Sequence, residues 1–436
     1  MKYFVLGVAV LMYVLVIAFQ DKKIFFTSAA AVLLLVLGTV FPGTIFFGTR
    51  RADAFLHALS SLVNWNVLLI YVGSMAIAAL FIYSKVPSRI ADSIIEKSPS
   101  TGIAIVLILA MTGIISIFVE NVATVLVMAP IALALCKKLK LNPTNFLLGL
   151  AVMSNLEGTA TLVGDPPSMI FASYAGYTFN DFFVHDGKIS IFFFIQIGLV
   201  VGCVFFYLFF RNEKEKIRAE KTEIVSAFPA ALLLTMIFGL AAISFLKIDL
   251  PFFSGAFVFL LGLAGIVWFV AAQKKSCGEA WKMIRELDWE TIFFLIGIFV
   301  VVGSLSESGL LFDFAQFLRG VIGGSRFAGF MLILLVSIIL SGFIDNVPYI
   351  IVMLPVADSL ARSIGASGEL FMFALLIGSC LGGNLTPYGA SANVAAMGIL
   401  KKEGYPMNFG GWLKLGAPFT LLTTAAAAAA LWAIWA

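Results

Sequence analysis

Four carboxylates lie within long apolar stretches of this 436-residue sequence, where a charged side chain is costly to keep. They are Glu120, Glu157, Asp165 and Asp345. A charge at the centre of a bilayer costs about 2.5–3.5 kcal/mol or more, and residues retained there usually have a function. Each carboxylate could carry a proton or bind a cation, so all four are candidates for proton coupling. The alternative roles are helix caps, salt bridges, or hairpin turns that water reaches.

Ten uncharged polar residues accompany these carboxylates in two sets. Amides and hydroxyls can both donate and accept hydrogen bonds, which suits coordination of a hydroxylated solute or an ion. The alternative is that they only hydrogen-bond neighbouring helices together. Because they form two matched clusters beside glycines, we predict that they bind the solute or ion. The clusters are Asn121, Asn155, Thr159, Thr161 and Ser168 in the first half of the chain, and Asn346, Asn384, Thr386, Ser391 and Asn393 in the second.

Both clusters belong to a motif that occurs twice, 225 residues apart. The first copy contains Glu120-Asn121-Val122 and the second contains Asp345-Asn346-Val347. Each copy is followed by a segment with glycine, threonine and proline, at 158–167 and at 383–391, that would interrupt a helix. Paired interruptions in the two halves of a membrane protein are the best indication in a sequence of a secondary-transport site.

The composition predicts the environment of these motifs. The chain is 61% hydrophobic and 12% charged, and its mean hydropathy is +1.06. Apolar runs near twenty residues recur throughout, which is typical of a polytopic α-helical membrane protein. The net charge of +4 is small and lies in loops, so it bears on topology and gives no reason to expect nucleic-acid binding. The N-terminal apolar run has a counterpart in the second half, so we interpret it as a retained helix.

The elements that must position the motifs follow from apolar length and helix breakers. The segments 102–136 and 327–362 are predicted to be re-entrant hairpins with Asn121 and Asn346 in their turns. Each of 145–176 and 370–400 is predicted to be one span broken in its middle. An amphipathic interfacial helix is expected at Leu305–Gly320. Ordinary membrane helices are predicted at roughly 3–19, 24–41, 64–84, 189–210, 226–246, 250–272, 290–304 and 412–435.

The repeat extends over the whole chain. Phe25-Phe26 is echoed by Phe252-Phe253, and Asn64-Trp65 by Asp288-Trp289, at nearly the same offset as the motifs. Several segments with one offset indicate a true internal repeat. We predict two repeats, each of about five transmembrane helices with a re-entrant hairpin and one broken helix. Their bounds are 1–210 (scaffold helices within 1–84, transport part about 100–176) and 226–436 (scaffold 226–304, transport part about 326–403), joined by a cytoplasmic linker at 211–225.

Counting crossings predicts the topology. Five crossings per half is an odd number, so the halves should be inverted relative to each other. One side then carries 20 of the 28 lysines and arginines, among them Lys23, Lys275 and Lys282. The positive-inside rule makes that side cytoplasmic and puts both termini outside. We expect a multi-pass protein of the cytoplasmic (inner) membrane, with hairpin tips that meet near the midplane from opposite faces.

Other chemistries have no pattern in this sequence. The four cysteines are scattered without metal-ligand spacing, and both histidines fall in predicted loops, so neither a metal site nor a cofactor is expected. Nucleotide-binding and hydrolase motifs do not occur, and no catalytic residue is predicted. We therefore expect a protein that is not an enzyme.

The paired motifs resemble the ion transporter superfamily, and most closely its arsenite permease and P-protein (ArsB/NhaD-like) branch. The resemblance covers nearly the whole chain. It implies an inverted-repeat fold with a scaffold and a moving transport part, elevator-like alternating access, and a homodimer. The residues that carry it are 121–130, 158–168, 176–182, 345–348, 380–384, 389–394 and 404–406.

Two departures from the pattern bear on the substrate. Relatives that carry dicarboxylates with sodium have Ser-Asn-Thr at the hairpin tips, whereas this chain has Glu-Asn-Val and Asp-Asn-Val. The loss of both hydroxyls argues against a dicarboxylate–sodium symporter. Glu157 replaces the glycine usual in the group, which changes the expected geometry of the first break.

The resemblance leads to a first expectation of arsenite or antimonite efflux in exchange for protons, with Asp165 and Asp345 handling the protons. The partners expected on this interpretation are a soluble arsenite-stimulated ATPase and the lipid bilayer. The alternative is a sodium/proton antiporter in which the same carboxylates bind sodium ions and protons in turn. A passive anion channel is a third interpretation, and an intramembrane enzyme the least favoured.

Overall fold

The computed structural model of the chain describes residues 1–19, 22–46, 53–216, 221–246, 250 and 252–436. Nearly all of this part is helical, as the sequence predicts. Nine helices in the described ranges are long and apolar enough to cross a membrane. The number is ten if two helices, bent by 118° relative to each other, count as one further span. The chain is therefore an all-α polytopic membrane protein.

The described residues of the first half form ten α-helices. A π-helical turn, Ala58–Leu62, follows the third of them, and a 3-10 turn, Asn180–Phe182, precedes a small hairpin of strands β1 (Val184–His185) and β2 (Lys188–Ile189). The helices are α1 (Lys2–Ala18), α2 (Lys23–Val40), α3 (Ala54–His57), α4 (Trp65–Tyr83), α5 (Val86–Lys97), α6 (Thr101–Ser116), α7 (Asn121–Leu139), α8 (Thr144–Gly158), α9 (Pro166–Ala175) and α10 (Ile191–Phe210).

Ten α-helices also lie within the described part of the second half, with a 3-10 turn at Gly383–Leu385. The bent pair is α15 and α16. The helices are α11 (Phe228–Phe245), α12 (Phe253–Ala271), α13 (Cys277–Arg285), α14 (Trp289–Glu307), α15 (Leu310–Ile322), α16 (Arg326–Ser341), α17 (Asn346–Ser363), α18 (Gly368–Gly382), α19 (Ser391–Lys402) and α20 (Phe409–Trp435).

The two halves repeat one order of elements. The hairpins are α6–α7 and α16–α17, whose four helices begin at Thr101, Asn121, Arg326 and Asn346, an offset of 225 in each arm. The broken spans are α8–α9 and α18–α19. The hairpins and breaks thus lie where the sequence predicts them. The inversion of one half relative to the other remains a prediction.

Scaffold helices of one half pack against those of the other through matched glycines. Gly73 of α4 lies so close to α12 that a Cβ there would be 2.5 Å from the Val258 carbonyl oxygen. Gly297, its counterpart on α14, lies against Thr27 of α2, where a Cβ would be 3.1 Å away. Small residues allow this approach of helix backbones, which membrane helices use for close packing.

The structure corrects several predicted boundaries. The span predicted from 189 begins at Ile191, because Asp186 and Gly187 both have positive φ and form the turn of the β1–β2 hairpin. The amphipathic helix predicted at Leu305–Gly320 is divided, because Gly309 with φ +73° separates the end of α14 from α15.

The histidines and the linker also differ from expectation. Both histidines were predicted in loops, but His57 ends α3 and His185 lies in β1, where side-chain and backbone hydrogen bonds hold them. Residues 217–220 of the linker predicted at 211–225 lie outside the described residues. The described linker residues on either side of them are not helical.

Candidate functional site

The two hairpin tips and the two breaks enclose a cavity of about 30 Å³ near the middle of the bundle, which we call the central cavity. Hairpin tips, the starts of α9 and α19, and the start of α14 all contribute to its wall. The lining residues are Tyr71, Glu120, Asn121, Val122, Asn155, Asp165, Pro166, Asp288, Thr291, Asp345, Asn346, Val347, Ala390, Ser391 and Ala392.

The acidic residues at the hairpin tips have equivalent backbones and act as helix caps. Glu120 has φ −51° and ψ 141°, and Asp345 has φ −47° and ψ 133°. Glu120 Oε2 accepts a hydrogen bond of 2.9 Å from the Ala123 amide, and Asp345 Oδ1 accepts one of 3.1 Å from the Val347 amide. One oxygen of each carboxylate is thus used for capping, and the other takes no part in the cap.

The breaks bring a buried carboxylate to one side of the cavity only. Asp165 and its repeat partner Ala390 precede α9 and α19 with almost the same backbone angles, φ −148° and −147°. Asp165 makes no side-chain capping bond, so the capping alternative is not what the structure shows for it. Its side chain is buried, and Oδ2 has no hydrogen-bond partner among the described residues. An unpaired buried carboxylate oxygen is costly unless a proton or cation compensates it.

Three asparagines predicted as ligands are joined by hydrogen bonds across the two breaks. Asn155 Nδ2 donates to Asn384 Oδ1 and to Asn393 Oδ1, each at 2.8 Å. Asn393 Nδ2 in turn donates to the carbonyl oxygens of Gly383 and Thr386, both at 2.9 Å. Of these three asparagines, only Asn155 lines the central cavity. Its Oδ1 has no hydrogen-bond partner in the described part of the chain. The network therefore ties the breaks together and leaves one acceptor free.

Most of the predicted hydroxyls are occupied by backbone carbonyls. Thr161 Oγ1 donates 2.5 Å to the carbonyl oxygen of Ile117. Its repeat partner Thr386 donates to the carbonyl oxygen of Gly342, so each break is tied to the turn of its own hairpin. Ser168 and Thr159 likewise donate to main-chain carbonyls. These four hydroxyls do not line the cavity, whereas Ser391, Asn121 and Asn346 do.

Glu157 lies apart from the other three predicted carboxylates. It is buried, and its Oε2 accepts a 2.6 Å hydrogen bond from Gln196 Nε2 of α10. A Cβ added to Gly113 of α6 would be 2.8 Å from Glu157 Cγ, so the side chain points between α6 and α10. Glu157 is absent from the cavity lining, and the structure therefore does not bring it together with the other carboxylates.

Asp288 and Tyr71 line the cavity although the sequence did not identify them as site residues. Asp288 Oδ1 caps α14 through the Thr291 amide at 3.0 Å, and Oδ2 accepts a 3.1 Å hydrogen bond from the Tyr71 hydroxyl. The sequence contains an indication of this role, because Asp288 is the acidic counterpart of Asn64 in the repeat and lies at the start of a membrane helix. Its position beside the hairpins depends on how the helices pack.

Two larger spaces adjoin the central cavity. The first vestibule, about 280 Å³, shares Asp345, Ala390 and Ser391 with it and includes Lys23. The second vestibule, about 630 Å³, shares Glu120 and Asp288 with it and is lined further by residues of α4, α7 and α13.

The electrostatic character of the central cavity is acidic. Glu120, Asp165, Asp288 and Asp345 all line it, and no lysine, arginine or histidine does so among the described residues. Within that same part of the chain, no three acidic, histidine or cysteine side chains are close enough to hold a metal ion. A cation in this cavity would therefore bind one or two carboxylates together with amide and hydroxyl oxygens.

Comparison with known proteins gives a family and a fold. The profile described as "Citrate transporter" (CitMHS) matches residues 13–378. An uncharacterized transporter of Mycobacterium tuberculosis is 30% identical over 425 residues, covering 96% of this chain and 95% of that protein. The P protein of Mus musculus is 26% identical over 454 residues, covering 84% of this chain and 54% of that protein.

Two solved transporters share the fold at low sequence identity. The YdaH transporter of Alcanivorax borkumensis superposes with a TM-score of 0.63 at 15% identity, over 94% of this chain and 97% of that one. MtrF of Neisseria gonorrhoeae, described as an efflux pump, gives a TM-score of 0.58 at 15% identity over 94% of each chain. The relatives found are transporters and not enzymes, as the sequence led us to expect.

Proposed function

Because the chain belongs to the citrate transporter family (CitMHS), within the ion transporter superfamily that it resembles, we propose a specific activity for this secondary transporter: exchange of sodium ions for protons at the central cavity. The observation that carries the proposal is the convergence of four carboxylates on one small cavity whose described lining contains no basic residue. The proposal keeps the roles expected from the sequence for Glu120, Asp165 and Asp345, leaves out Glu157, and adds Asp288.

Charge neutralisation is the physical reason for cation exchange. Several carboxylates around one small cavity repel one another, so protons or cations in the site would compensate them. Unwound backbone and helix ends offer further oxygens, as they do in other broken-helix transporters that bind Na⁺ or H⁺. Asp165, with one unpaired oxygen, is the strongest candidate to alternate between the two.

Size and charge favour a small cation over free citrate. A water molecule needs roughly 10–15 Å³ of such space, so a cavity of about 30 Å³ accommodates a small ion with little hydration. Citrate is a much larger trianion, and four carboxylates would oppose its entry. The name of the family therefore does not by itself predict the substrate of this chain.

Contacts between the halves support the predicted inverted topology. Four residues separate α7 from α8, and α9 ends against α17, where the Tyr174 hydroxyl is 3.3 Å from Asp358 Oδ2. In the other half α19 ends against α7, where Lys137 Nζ is 2.7 Å from Glu403 Oε2. Each broken span thus runs from the base of one hairpin to the base of the other, where the base is the end away from the tip. This is expected if the hairpins enter from opposite faces.

The vestibules then indicate the access state. Lys23 lines the first vestibule, and Lys275 and Lys282 line the second. All three belong to the basic-rich side, which the positive-inside rule assigns to the cytoplasm. We therefore propose a cytoplasmic-membrane protein with both termini outside, in a conformation open to the cytoplasm. Alternating access requires a second conformation open to the other face.

Arsenite or antimonite efflux in exchange for protons is the second candidate. Asn121, Asn346 and Ser391 at the cavity could hydrogen-bond a neutral hydroxylated solute. The case is weaker than for sodium, because four other predicted hydroxyls are occupied by backbone carbonyls.

The test is ion exchange in reconstituted vesicles. Purified protein in vesicles containing a pH-sensitive dye should alkalinise or acidify the lumen when a sodium gradient is applied, and choline should have no effect. Asp165→Asn should remove the response, whereas the matched control Asp186→Asn, in the exposed turn of the β1–β2 hairpin, should retain it. Uptake of arsenite or citrate without any sodium-dependent pH change would overturn the proposal and identify the alternative substrate.

A further inference from the structure

A lysine lines the first vestibule beside Asp345, a carboxylate that this vestibule shares with the central cavity. Lys23 Nζ is 3.7 Å from Asp345 Oδ2, which is within ion-pair range. It also lies 5.4 Å from the centroid of the Phe294 ring, and its side chain is only 18% exposed. Among the described residues that line this vestibule Lys23 is the only basic one, and Glu290 is the other charged neighbour besides Asp345.

Lys23 lies beside the oxygen of Asp345 that does not cap α17. Oδ1 is used to cap α17 through the Val347 amide, so Oδ2 is the oxygen that faces the vestibule and the lysine. A transported cation that reaches Asp345 from this vestibule would compete with the ammonium group for the same oxygen.

The lysine is not a general part of the repeat. The Phe25-Phe26 and Phe252-Phe253 echo aligns Lys23 with Leu250, so the equivalent position of the other half has no charge. Glu120, the counterpart of Asp345, forms no ion pair with a described lysine or arginine in the structure. The first vestibule therefore differs from the second in having a built-in cation beside its hairpin tip.

We propose that Lys23 is the resident counter-ion of Asp345, and that a transported cation must displace it to bind. This inference rests on the proposed sodium/proton exchange and names a residue that sets its cation affinity. Lys23 belongs to α2, in the predicted scaffold, whereas Asp345 belongs to the predicted transport part. Displacement of the ammonium group therefore also releases a link between the two parts before the transport part moves.

Competition between Lys23 and sodium for Asp345 predicts the direction in which removal of the lysine changes sodium affinity. Without the ammonium group, sodium no longer has to replace an ion pair, so its half-saturating concentration should fall. A partly exposed ion pair contributes up to about 1 kcal/mol, which corresponds to a change of roughly fivefold. If Lys23 only stabilised the structure, its removal would leave the half-saturating sodium concentration unchanged, or raise it by loosening the site.

The experiment compares Lys23→Gln with its neighbour Lys22→Gln, which removes the same charge from an exposed position. Half-saturating sodium is measured from the sodium-induced shift of the unfolding temperature in detergent and from sodium-driven proton flux in vesicles. We expect a value roughly fivefold lower in Lys23→Gln and the wild-type value in Lys22→Gln. Lys23→Arg keeps the charge, so its value should lie closer to wild type than that of Lys23→Gln. Lys23→Met, which keeps an apolar stem, replaces the Gln variant if that one does not fold.

A double variant tests the pairing itself. In an Asp345→Asn background, Lys23→Gln should no longer lower the half-saturating concentration, because its partner is gone. Unchanged or raised values in Lys23→Gln, with normal sodium exchange in the wild type, would overturn this inference and leave the proposed function standing. If the wild type and Lys23→Gln both fail to bind or exchange sodium, the proposed function fails, and this inference fails with it.

Discussion

At the scale of single residues, Asp165 differs from every other predicted carboxylate. It is buried at the central cavity, it caps no helix, and its Oδ2 has no partner in the described structure. Its repeat partner Ala390 cannot ionise, so at this level of the cavity only one half has a group that can exchange a proton. These properties support the proposal that Asp165 is the shared proton and cation carrier.

We expect Asp165→Asn to lose proton coupling, while sodium still binds more weakly through the amide oxygen and the other three carboxylates of the cavity. An amide is nearly the same size and remains polar, but it cannot exchange a proton. Proton-driven uptake and substrate exchange down its own gradient should be compared in the same vesicles, with only the exchange surviving. Wild-type proton-driven uptake would reject Asp165 as the carrier and transfer the role to Asp345, Glu120 or Asp288.

The asparagines at the hairpin tips permit a second test. Asn121→Ala and Asn346→Ala should each abolish transport and still fold, because both amides line the cavity. Asn121 Oδ1 accepts a 2.7 Å hydrogen bond from Ser116, but Ser116 also bonds to Ser154, so the stability loss should be about 1 kcal/mol. Uptake and the yield of detergent-stable protein are the measurements. Normal uptake in both variants would remove the hairpin tips from the site.

At the scale of elements, the breaks depend on glycines that pack directly against carbonyl oxygens. A Cβ at Gly164 would be 2.5 Å from the Gly158 oxygen, and one at Gly389 would be 2.5 Å from the Gly383 oxygen. Each would also be 2.9 Å from a carbonyl oxygen of its own hairpin, at Ile117 or Gly342. The same contact in both halves explains why both breaks contain glycine at this place.

Substitution of these glycines should change the stability of the protein differently from substitution of a glycine in an ordinary helix. Gly164→Ala and Gly389→Ala should each destabilise the protein by about 1–3 kcal/mol, since backbone must shift to admit the methyl group. Gly398→Ala in α19, where nothing lies within 4 Å, should be neutral or stabilise by about 0.5–1 kcal/mol. Thermal unfolding in detergent gives the comparison. Equal stability of all three variants would show that the breaks do not need this close contact.

At the scale of the whole molecule, the topology determines which face of the membrane each vestibule opens to. Lys214 lies in the linker and Asp186 in the turn of the β1–β2 hairpin, and both are exposed. The predicted topology puts Lys214 in the cytoplasm and Asp186 outside. The two positions therefore form a matched pair for accessibility measurements.

Cysteine labelling of intact cells should distinguish these two positions. In a chain with Cys277→Ser, which removes an exposed native thiol, Asp186→Cys should react with an impermeant reagent and Lys214→Cys should react only after permeabilisation. Reaction of Lys214→Cys from outside would invert the topology. It would then assign both vestibules to the outer face of the membrane.

The amino-acid sequence by itself determined the class and the sites of irregular backbone. Long apolar runs predict membrane helices, because unpaired backbone polar groups are not tolerated in lipid. Glycine and proline predict where those helices break, because their effect on the backbone is local. For the same reason the residue pattern alone was enough to locate the repeated tips at Asn121 and Asn346 and the breaks beside Asp165 and Ser391.

Only the tertiary structure decided which polar side chains face the central cavity. Thr161 and Thr386 donate to hairpin carbonyls, and Glu157 is directed at Gln196, so these three predicted site residues are turned away from it. The other predicted residues that do not line it are Thr159, Ser168, Asn384 and Asn393. Asp288 of α14 is brought in from a distant part of the chain. Helix rotation and lateral packing make these choices through contacts between residues far apart in sequence. A local pattern of residue types contains no information about which neighbour a side chain will meet.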